Sequence, residues 1–261
     1  MGVANSGLFD TTTGLNDLRH TITINSGSSG LLTIGMGQSY NTVSCGTWAA
    51  NWQNERVLDN AFDVDPSDAR STMRGSGEIS FANGVAVFKG SPRLYVSPEE
   101  GVDGWDDVVI TAYAKYVDQG AQPYKSYSGL TIATRTKHDN YQNDPCDAFG
   151  YYARIYQESG ECSFQKEYYH STDTGTVYSG TNRVDCFPGG LPLGKWVGMK
   201  FKVKTVGDDV KLELYLDMND DGNWELKHSL TDTTGSWFST SSATVPGKYG
   251  FINIRYVYFT I

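Results

Sequence analysis

The fold class is clearest at residues 149–170, which read FGYYARIYQESGECSFQKEYYH. Apolar and polar side chains alternate there with a period of two on both sides of Ser159-Gly160. This period is typical of half-buried β-strands, and a Ser-Gly pair between two such runs indicates a turn. The segment therefore predicts a β-hairpin.

The loop length decides which residues of this hairpin share a face, because a shift of one residue turns a strand over. A two-residue loop places Tyr152 opposite Glu167 and Gln157 opposite Cys162. The core face then holds Ala153, Ile155 and Phe164, and the other face holds Tyr152, Arg154, Tyr156, Gln165, Glu167 and Tyr169. A three-residue loop instead places Lys166, Tyr168 and His170 with Tyr152 and Arg154.

The same alternation recurs along most of the chain. Strands are predicted at residues 21–25, 31–35, 78–81, 85–89, 108–117, 129–136, 149–157, 162–170, 196–204, 211–217, 224–229 and 249–261. Asn83-Gly84 predicts a tight hairpin, and residues 66–70 predict a short helical turn. Many strands separated by Gly-rich turns predict one all-β domain, an antiparallel two-sheet β-sandwich of the jelly-roll kind. Residues 1–75 are less regular, and we expect them to wrap this sandwich.

Composition limits the classes of partner. The chain has 261 residues and a net charge of −9, which argues against nucleic-acid binding because phosphate contacts need a basic face. No apolar run reaches the ~18 residues of a membrane helix, so we expect no membrane partner. An acidic protein still binds a polyanion if its cations are concentrated in one groove. We expect a monomer.

Cysteine usage indicates the compartment. Cys45, Cys146, Cys162 and Cys186 form no CxxC motif and have no His at zinc-ligand spacing, so two disulfides are predicted, with three connectivities open. With a composition rich in Tyr, Gly, Thr and Asn, this favours a secreted protein. The start at Met1-Gly2-Val3 is polar and shows no charged-then-apolar signal, so we expect either a native cytoplasmic terminus or a mature chain with an added initiator Met.

The polar faces of the central strands predict a ligand-binding groove. Residues 108–117 place Tyr113 and Lys115 on one face, and residues 129–137 place Arg135 and Lys137 on one face. Tyr rings offer flat apolar surface to a sugar, and Arg forks suit carboxylates. The predicted substrate-binding residues are Tyr113, Lys115, Lys137, Tyr152, Tyr156, Lys166 and Glu167.

Five segments carry a resemblance to a known superfamily. They are GLTIATRTKH, FGYYARIYQ, FQKEYYH, GKWVGMKFKV and the closing GFINIRYVYFTI. Over residues 75–261 this pattern resembles the concanavalin A-like jelly rolls of polysaccharide lyases and glycoside hydrolases, including glucuronan- and alginate-lyase-like proteins. The hydrolase motif ExDxxE is absent, and so are the alginate-lyase motifs RxExR, QxH and YxKxGxYxQ.

The resemblance implies β-elimination from an anionic, uronic-acid polysaccharide. This reaction needs a clamp that neutralises the carboxylate, a base for the C5 proton and an acid for the leaving oxygen. The expected clamp is Arg135 and Arg154, with Gln165 assisting. Tyr169 or Tyr152 is the expected base and acid, and His138 and His170 stand in reserve. The chemistry requires no cofactor.

Two other functions stay open. A glycoside hydrolase needs two carboxyl groups flanking the bond. Glu167 supplies one of them, and Asp139, Asp144 or Asp147 supplies its partner. A carbohydrate-binding domain needs the groove alone.

A calcium ion is a further expectation. Asp217, Asn219 and Asp221 stand at alternate positions before Gly222, which is similar to the first half of a calcium loop. The acidic runs at residues 63–68 and 99–107 are alternative sites for structural Ca²⁺, and a polar hairpin turn is the alternative at Asp217.

Overall fold

The computed structural model describes residues 23–26, 47–50, 52–97, 107–117, 128–137, 149–171, 175–179, 182–233 and 256–260. Their strands are β1 (Thr23–Ser26), β2 (Thr47–Ala49), β3 (Arg56–Leu58), β4 (Val64–Asp65), β5 (Asp68–Ala82), β6 (Val85–Val96), β7 (Val108–Lys115), β8 (Gly129–Lys137), β9 (Phe149–Tyr156), β10 (Glu161–Ser171), β11 (Gly175–Ser179), β12 (Val184–Asp185), β13 (Trp196–Val206), β14 (Asp209–Asp217), β15 (Glu225–Asp232) and β16 (Tyr256–Thr260). Among these residues, no helix is long and apolar enough to cross a membrane.

The strands form two antiparallel sheets. The six-stranded sheet has the order β15-β14-β13-β7-β1-β2. The ten-stranded sheet has the order β11-β10-β9-β8-β16-β6-β5-β3, with β12 added beside β10 and β4 beside β5. The predicted all-β, two-sheet sandwich is confirmed.

One core lies between the sheets. The alternation along each strand turns apolar side chains inward, and Phe164 of β10 stacks on Phe201 of β13 with ring centroids 5.7 Å apart. The ten-stranded sheet contributes Met73, Ile79, Phe81, Leu94, Val96, Leu130, Ile132, Tyr151, Ala153, Ile155 and Phe164. The six-stranded sheet contributes Val108, Ile110, Ala112, Val197, Met199, Phe201, Val203, Val210, Leu212, Leu214 and Leu216.

Turn chemistry explains the longest hairpin. Ala82 pairs with Val85 at the end of β5 and β6, and Asn83 and Gly84 have φ of 52° and 80°. Positive φ at both central residues is the geometry that an Asn-Gly turn favours in a hairpin. The prediction at this dipeptide is confirmed. The predicted helical turn at residues 66–70 is wrong, because Pro66 and Ser67 form a tight turn between β4 and β5.

A disulfide joins Cys162 of β10 to Cys186, and both residues are buried in the core. This confirms one of the expected disulfides and is compatible with an extracellular protein. Cys45 and Cys146 lie outside the described residues.

Candidate functional site

The outer face of the ten-stranded sheet, which points away from the six-stranded sheet, carries most of the candidate residues. Gln165 pairs with Tyr152, and Cys162 pairs with Ile155, so residues 157–160 form the turn. The register differs by two residues from a two-residue loop, and a shift of two preserves the faces. The predicted division of the hairpin is therefore confirmed, and the three-residue alternative is wrong.

Three arginines occupy one cross-strand row of this face. Arg154 pairs with Thr131, Thr131 with Thr260, Thr260 with Arg93, and Arg93 with Arg74. We call Arg154, Arg93 and Arg74 the arginine row. Neighbouring strands lie roughly 4.8 Å apart, so the row spreads positive charge across five neighbouring strands, from β9 to β5.

The next row of the same face is aromatic. It runs through Gln165, Tyr152, Ala133, Tyr258 and Tyr95 in register. Tyr152, Ala133 and Tyr95 form a small buried cluster that is separate from the main core. We call Tyr152 and Tyr95 the tyrosine row.

Arg154 keeps open hydrogen-bonding capacity on this face. Its Nε donates to Thr131 Oγ1 at 3.0 Å, and its guanidinium carbon lies 5.8 Å from the centroid of the Tyr156 ring. Within the described part of the chain it makes no ion pair with a carboxylate. Its terminal nitrogens therefore remain available to a bidentate acceptor on a ligand.

Tyr156 gathers polar groups beside Arg154. Gln165 Nε2 and Ser163 Oγ donate to its Oη at 3.1 and 3.2 Å. Arg183 lies over its ring at 4.1 Å and pairs with Glu161 at 2.7 Å. Gln165 Oε1 is buried and accepts no hydrogen bond from a described group. This leaves one acceptor of Gln165 unused among the described groups.

Tyr152 and Glu167 form a buried pair on the same face. Tyr152 Oη donates to Glu167 Oε2, and the exposed fractions of the two residues are 0% and 2%. The Glu167 carboxylate is thus already used by the protein. The predicted partners Asp139, Asp144 and Asp147 lie outside the described residues.

Arg135 does not lie on the outer face, so the predicted face is wrong. The pairing of β8 with β9 is irregular between Thr134 and Lys137, and Arg135 has a φ of 47°. This bulge directs the side chain to the facing sheet, where Nη2 donates to Thr205 Oγ1 at 2.7 Å and to Asp107 Oδ1 at 3.2 Å. Arg135 is 3% exposed, and its contacts are structural.

Lys166 also lies between the sheets. It is two residues from the core residue Phe164 on β10, and alternate residues of a strand share a face. It pairs in register with Tyr151, and its Nζ contacts Asp232 Oδ2 of the facing sheet at 2.5 Å. Its expected place on the groove face, which followed from the three-residue loop, is wrong.

Tyr113 and Lys115 occupy the outer face of the other sheet. Their predicted strand face is confirmed, but β7 pairs with β13 and β1 and does not neighbour β8. Tyr113 Oη donates to Asp217 Oδ2 at 2.9 Å, and Lys115 Nζ lies 5.0 Å from the Trp196 ring centroid. The expected single groove over four neighbouring strands is therefore divided between two surfaces of the sandwich.

The remaining candidates are not described in full. His138 lies outside the described residues. The backbones of Lys137, Tyr169 and His170 run in β8 and β10, and their side chains lie outside the described part.

The Asp217 carboxylate accepts hydrogen bonds from groups of the protein. Asp217 accepts hydrogen bonds from the N–H groups of Asp221 and Gly222 at 3.1 and 2.8 Å, besides the Tyr113 hydroxyl. Asn219 is exposed. No group of three or more His, Cys, Asp or Glu side chains in the described ranges is arranged to hold a metal ion. The calcium expectation remains a prediction.

Sequence reasoning missed Arg74, Arg93 and Tyr95. A signal was present, because SPRLYV alternates Arg93 and Tyr95 with the buried Leu94 and Val96. What the alternation does not show is that β16 brings β6 next to β8.

No protein-family model matches this chain, and a search of curated proteins finds no match either. The case for a function therefore depends on the site itself.

Proposed function

We propose that this protein is a secreted, carbohydrate-active protein of the concanavalin A-like kind. In this proposal the outer face of the ten-stranded sheet binds an anionic, uronic-acid polysaccharide and cleaves it by β-elimination. One observation carries the proposal: the arginine row runs beside the tyrosine row on a protein whose net charge is −9. Tyr95 and Tyr152 are buried and support this face, so it is the concentrated cations that suit a chain of sugar rings that bear carboxylates.

Arg154 takes the role of carboxylate clamp. Neutralising the uronate carboxylate makes the C5 proton more acidic, and a guanidinium matches a carboxylate with two parallel hydrogen bonds. Gln165, whose Oε1 is unused among the described groups, assists. Arg135 has no part in this clamp, because its guanidinium is held between the sheets.

The base and the acid of the elimination are proposed to be tyrosine. Tyr152 donates to Glu167, so it can take part only after this hydrogen bond breaks. Tyr169 is therefore the first candidate, and His170 stays in reserve. Both follow Glu167 along β10.

A non-catalytic carbohydrate-binding domain is the second candidate. It is favoured by the Oη atoms of Tyr152 and Tyr156, which are both engaged in hydrogen bonds within the protein. Hydrolysis is less favoured, because Glu167 is buried against Tyr152 and a hydrolase needs two carboxyl groups that reach the bond.

The test incubates the protein with polyuronates and neutral glucans while ultraviolet absorbance and reducing ends are followed in parallel. A rise in both, for a polyuronate and not for a glucan, is expected. Reducing ends without absorbance would replace the lyase with a hydrolase. No turnover with a polyuronate-dependent rise in Tm would support the binding domain.

Arg154→Ala is the informative variant, and Lys204→Ala is its matched control. Lys204 is an exposed cation on β13, on the opposite surface of the sandwich. We expect Arg154→Ala to lose polyuronate turnover and the Tm response while the control retains both. Equal behaviour of the two variants would contradict the clamp.

A further inference from the structure

Three side chains meet between the sheets at one end of the core. Lys166 Nζ of β10 and Tyr151 Oη of β9 each lie 2.5 Å from Asp232 Oδ2 of β15. The side chains of Lys166 and Asp232 are 6% and 5% exposed, and Tyr151 is 2% exposed. An amine and a carboxyl group are thus held in contact away from water, and an aromatic hydroxyl group donates to the carboxyl group.

Burial separates this pair from the surface pairs of the same protein. Lys227 Nζ and Glu225 Oε2 also lie 2.5 Å apart, but the Glu225 side chain is 64% exposed. Water stabilises the charges of the exposed pair. The buried pair loses that hydration, which disfavours its charged form. Burial lowers the pKa of Lys166, which favours the neutral amine.

We propose that Lys166 and Asp232 join in an intramolecular amide bond that links the two sheets. The Lys166 Nζ lone pair attacks Asp232 Cγ, an N–C bond forms, and the C–O bond to one carboxyl oxygen breaks. That oxygen leaves as water with one proton from the carboxylic acid and one from the amine. Atoms balance and no oxidant, reductant or co-reactant is needed.

Tyr151 supports the step as a hydrogen-bond donor. Its Oη–H donates to the carboxyl group under attack, and such a donor stabilises the negative charge that develops on oxygen. Burial and the neighbouring Asp232 raise the pKa of Tyr151, so the hydroxyl keeps the proton that it donates. The inference is independent of the proposed function, because all three residues lie inside the sandwich and away from the arginine row.

The test measures the intact mass of the purified full-length chain after denaturation and complete disulfide reduction. We expect a mass lower by one water molecule than the sequence gives, and a branched proteolytic peptide that contains both Lys166 and Asp232. The full sequence mass, with the two residues recovered on separate peptides, would overturn the proposal. Peptides with Lys227 and Glu225 are the internal control. A water loss located in that exposed pair would also overturn it.

Two variants separate the bond from an ion pair. Lys166→Arg keeps the positive charge without the nucleophilic amine, so its mass should equal its own sequence mass. Asp232→Asn can form the same amide with loss of ammonia, and the ammonia-sized deficit is the expected result. A water-sized deficit in Lys166→Arg would place the reaction elsewhere and reject the assignment. The wild-type measurement stands even where a variant fails to fold.

Discussion

Lys200 Nζ lies 4.0 Å from the centroid of the Trp224 ring on the outer face of the six-stranded sheet. Burial lowers the pKa of Lys200 to about 8, and the nearby Asp217 carboxylate opposes this shift only in part. The charged form of Lys200 therefore lowers the stability of the folded protein.

We predict that Lys200→Met raises the free energy of unfolding at pH 7. Between a pH of about 8 and the ordinary lysine value of 10.5, the unfolded chain binds more protons than the folded one. The stability contributed by this group therefore rises with pH across that window and is at its lowest below it. Urea denaturation at pH 7 and pH 10 should show a gain for Lys200→Met that shrinks at the higher pH. Lys204→Met is the matched exposed change on the same strand face, and an equal gain there would contradict the burial argument.

Gly198→Ala should disturb the same surface. An added Cβ would lie 2.8 Å from the Tyr113 ring, 2.8 Å from the Trp224 ring and 2.9 Å from Asp217 Cβ. Overpacking of this kind costs about 1–3 kcal/mol. We expect a lower urea midpoint together with a changed Trp fluorescence spectrum. A stable variant with an unchanged spectrum would mean that the two rings do not pack over Gly198.

Arg135→Ala and Arg154→Ala should differ in their effect on stability. Removing the buried Arg135 takes one donor from Asp107, which keeps the N–H of Thr205, and one from Thr205 Oγ1. The loss of buried hydrogen-bond partners costs about 1–3 kcal/mol, so we expect a lower urea midpoint. Arg154 is half-buried and makes no ion pair in the described ranges, so its removal should leave the urea midpoint close to that of the wild type. Parallel denaturation curves with polyuronate titrations test both. A large stability loss in Arg154→Ala would assign that residue to the framework.

The Cys162–Cys186 disulfide should contribute to stability. It closes a loop of sequence separation 24, for which the chain-entropy relation gives roughly 3 kcal/mol. We expect the Cys162→Ala/Cys186→Ala double variant to have a lower Tm than the wild type under non-reducing conditions. Under a strong reductant the wild type should approach the variant, and a persistent difference would point to the loss of buried sulfur packing instead.

Strand faces could be predicted from the sequence because they depend on parity alone. Tyr152, Arg154 and Gln165 are on the predicted face although the loop is two residues longer than the two-residue alternative, since a shift of two preserves the faces. Arg135 could not be predicted in this way. One residue with positive φ turns its side chain inward, and a change of one backbone angle leaves no trace in the alternation.

Strand order limited the prediction of the site. Tyr113 is on the predicted face of its own strand. The sheet in which that strand lies depends on pairing with strands that are distant in sequence. The same long-range pairing brings Arg93 of β6 into one row with Arg154 of β9 through β16. The aromatic and basic character of this face was predictable, but the membership of Arg74, Arg93 and Tyr95 was not.

The position of β16 has a consequence for how the chain is made. This strand is the last described one in sequence, and it pairs with β6 on one side and β8 on the other. On the ribosome, the hairpin of β5 and β6 and the meander of β8 to β10 emerge long before the segment that joins them. The two halves of the ten-stranded sheet must wait, each with an unpaired edge, until synthesis reaches residues 256–260, and such late, distant pairing makes folding slow. A nascent chain that stalls after β15 would expose two open sheet edges, which are the surfaces at which β-proteins aggregate.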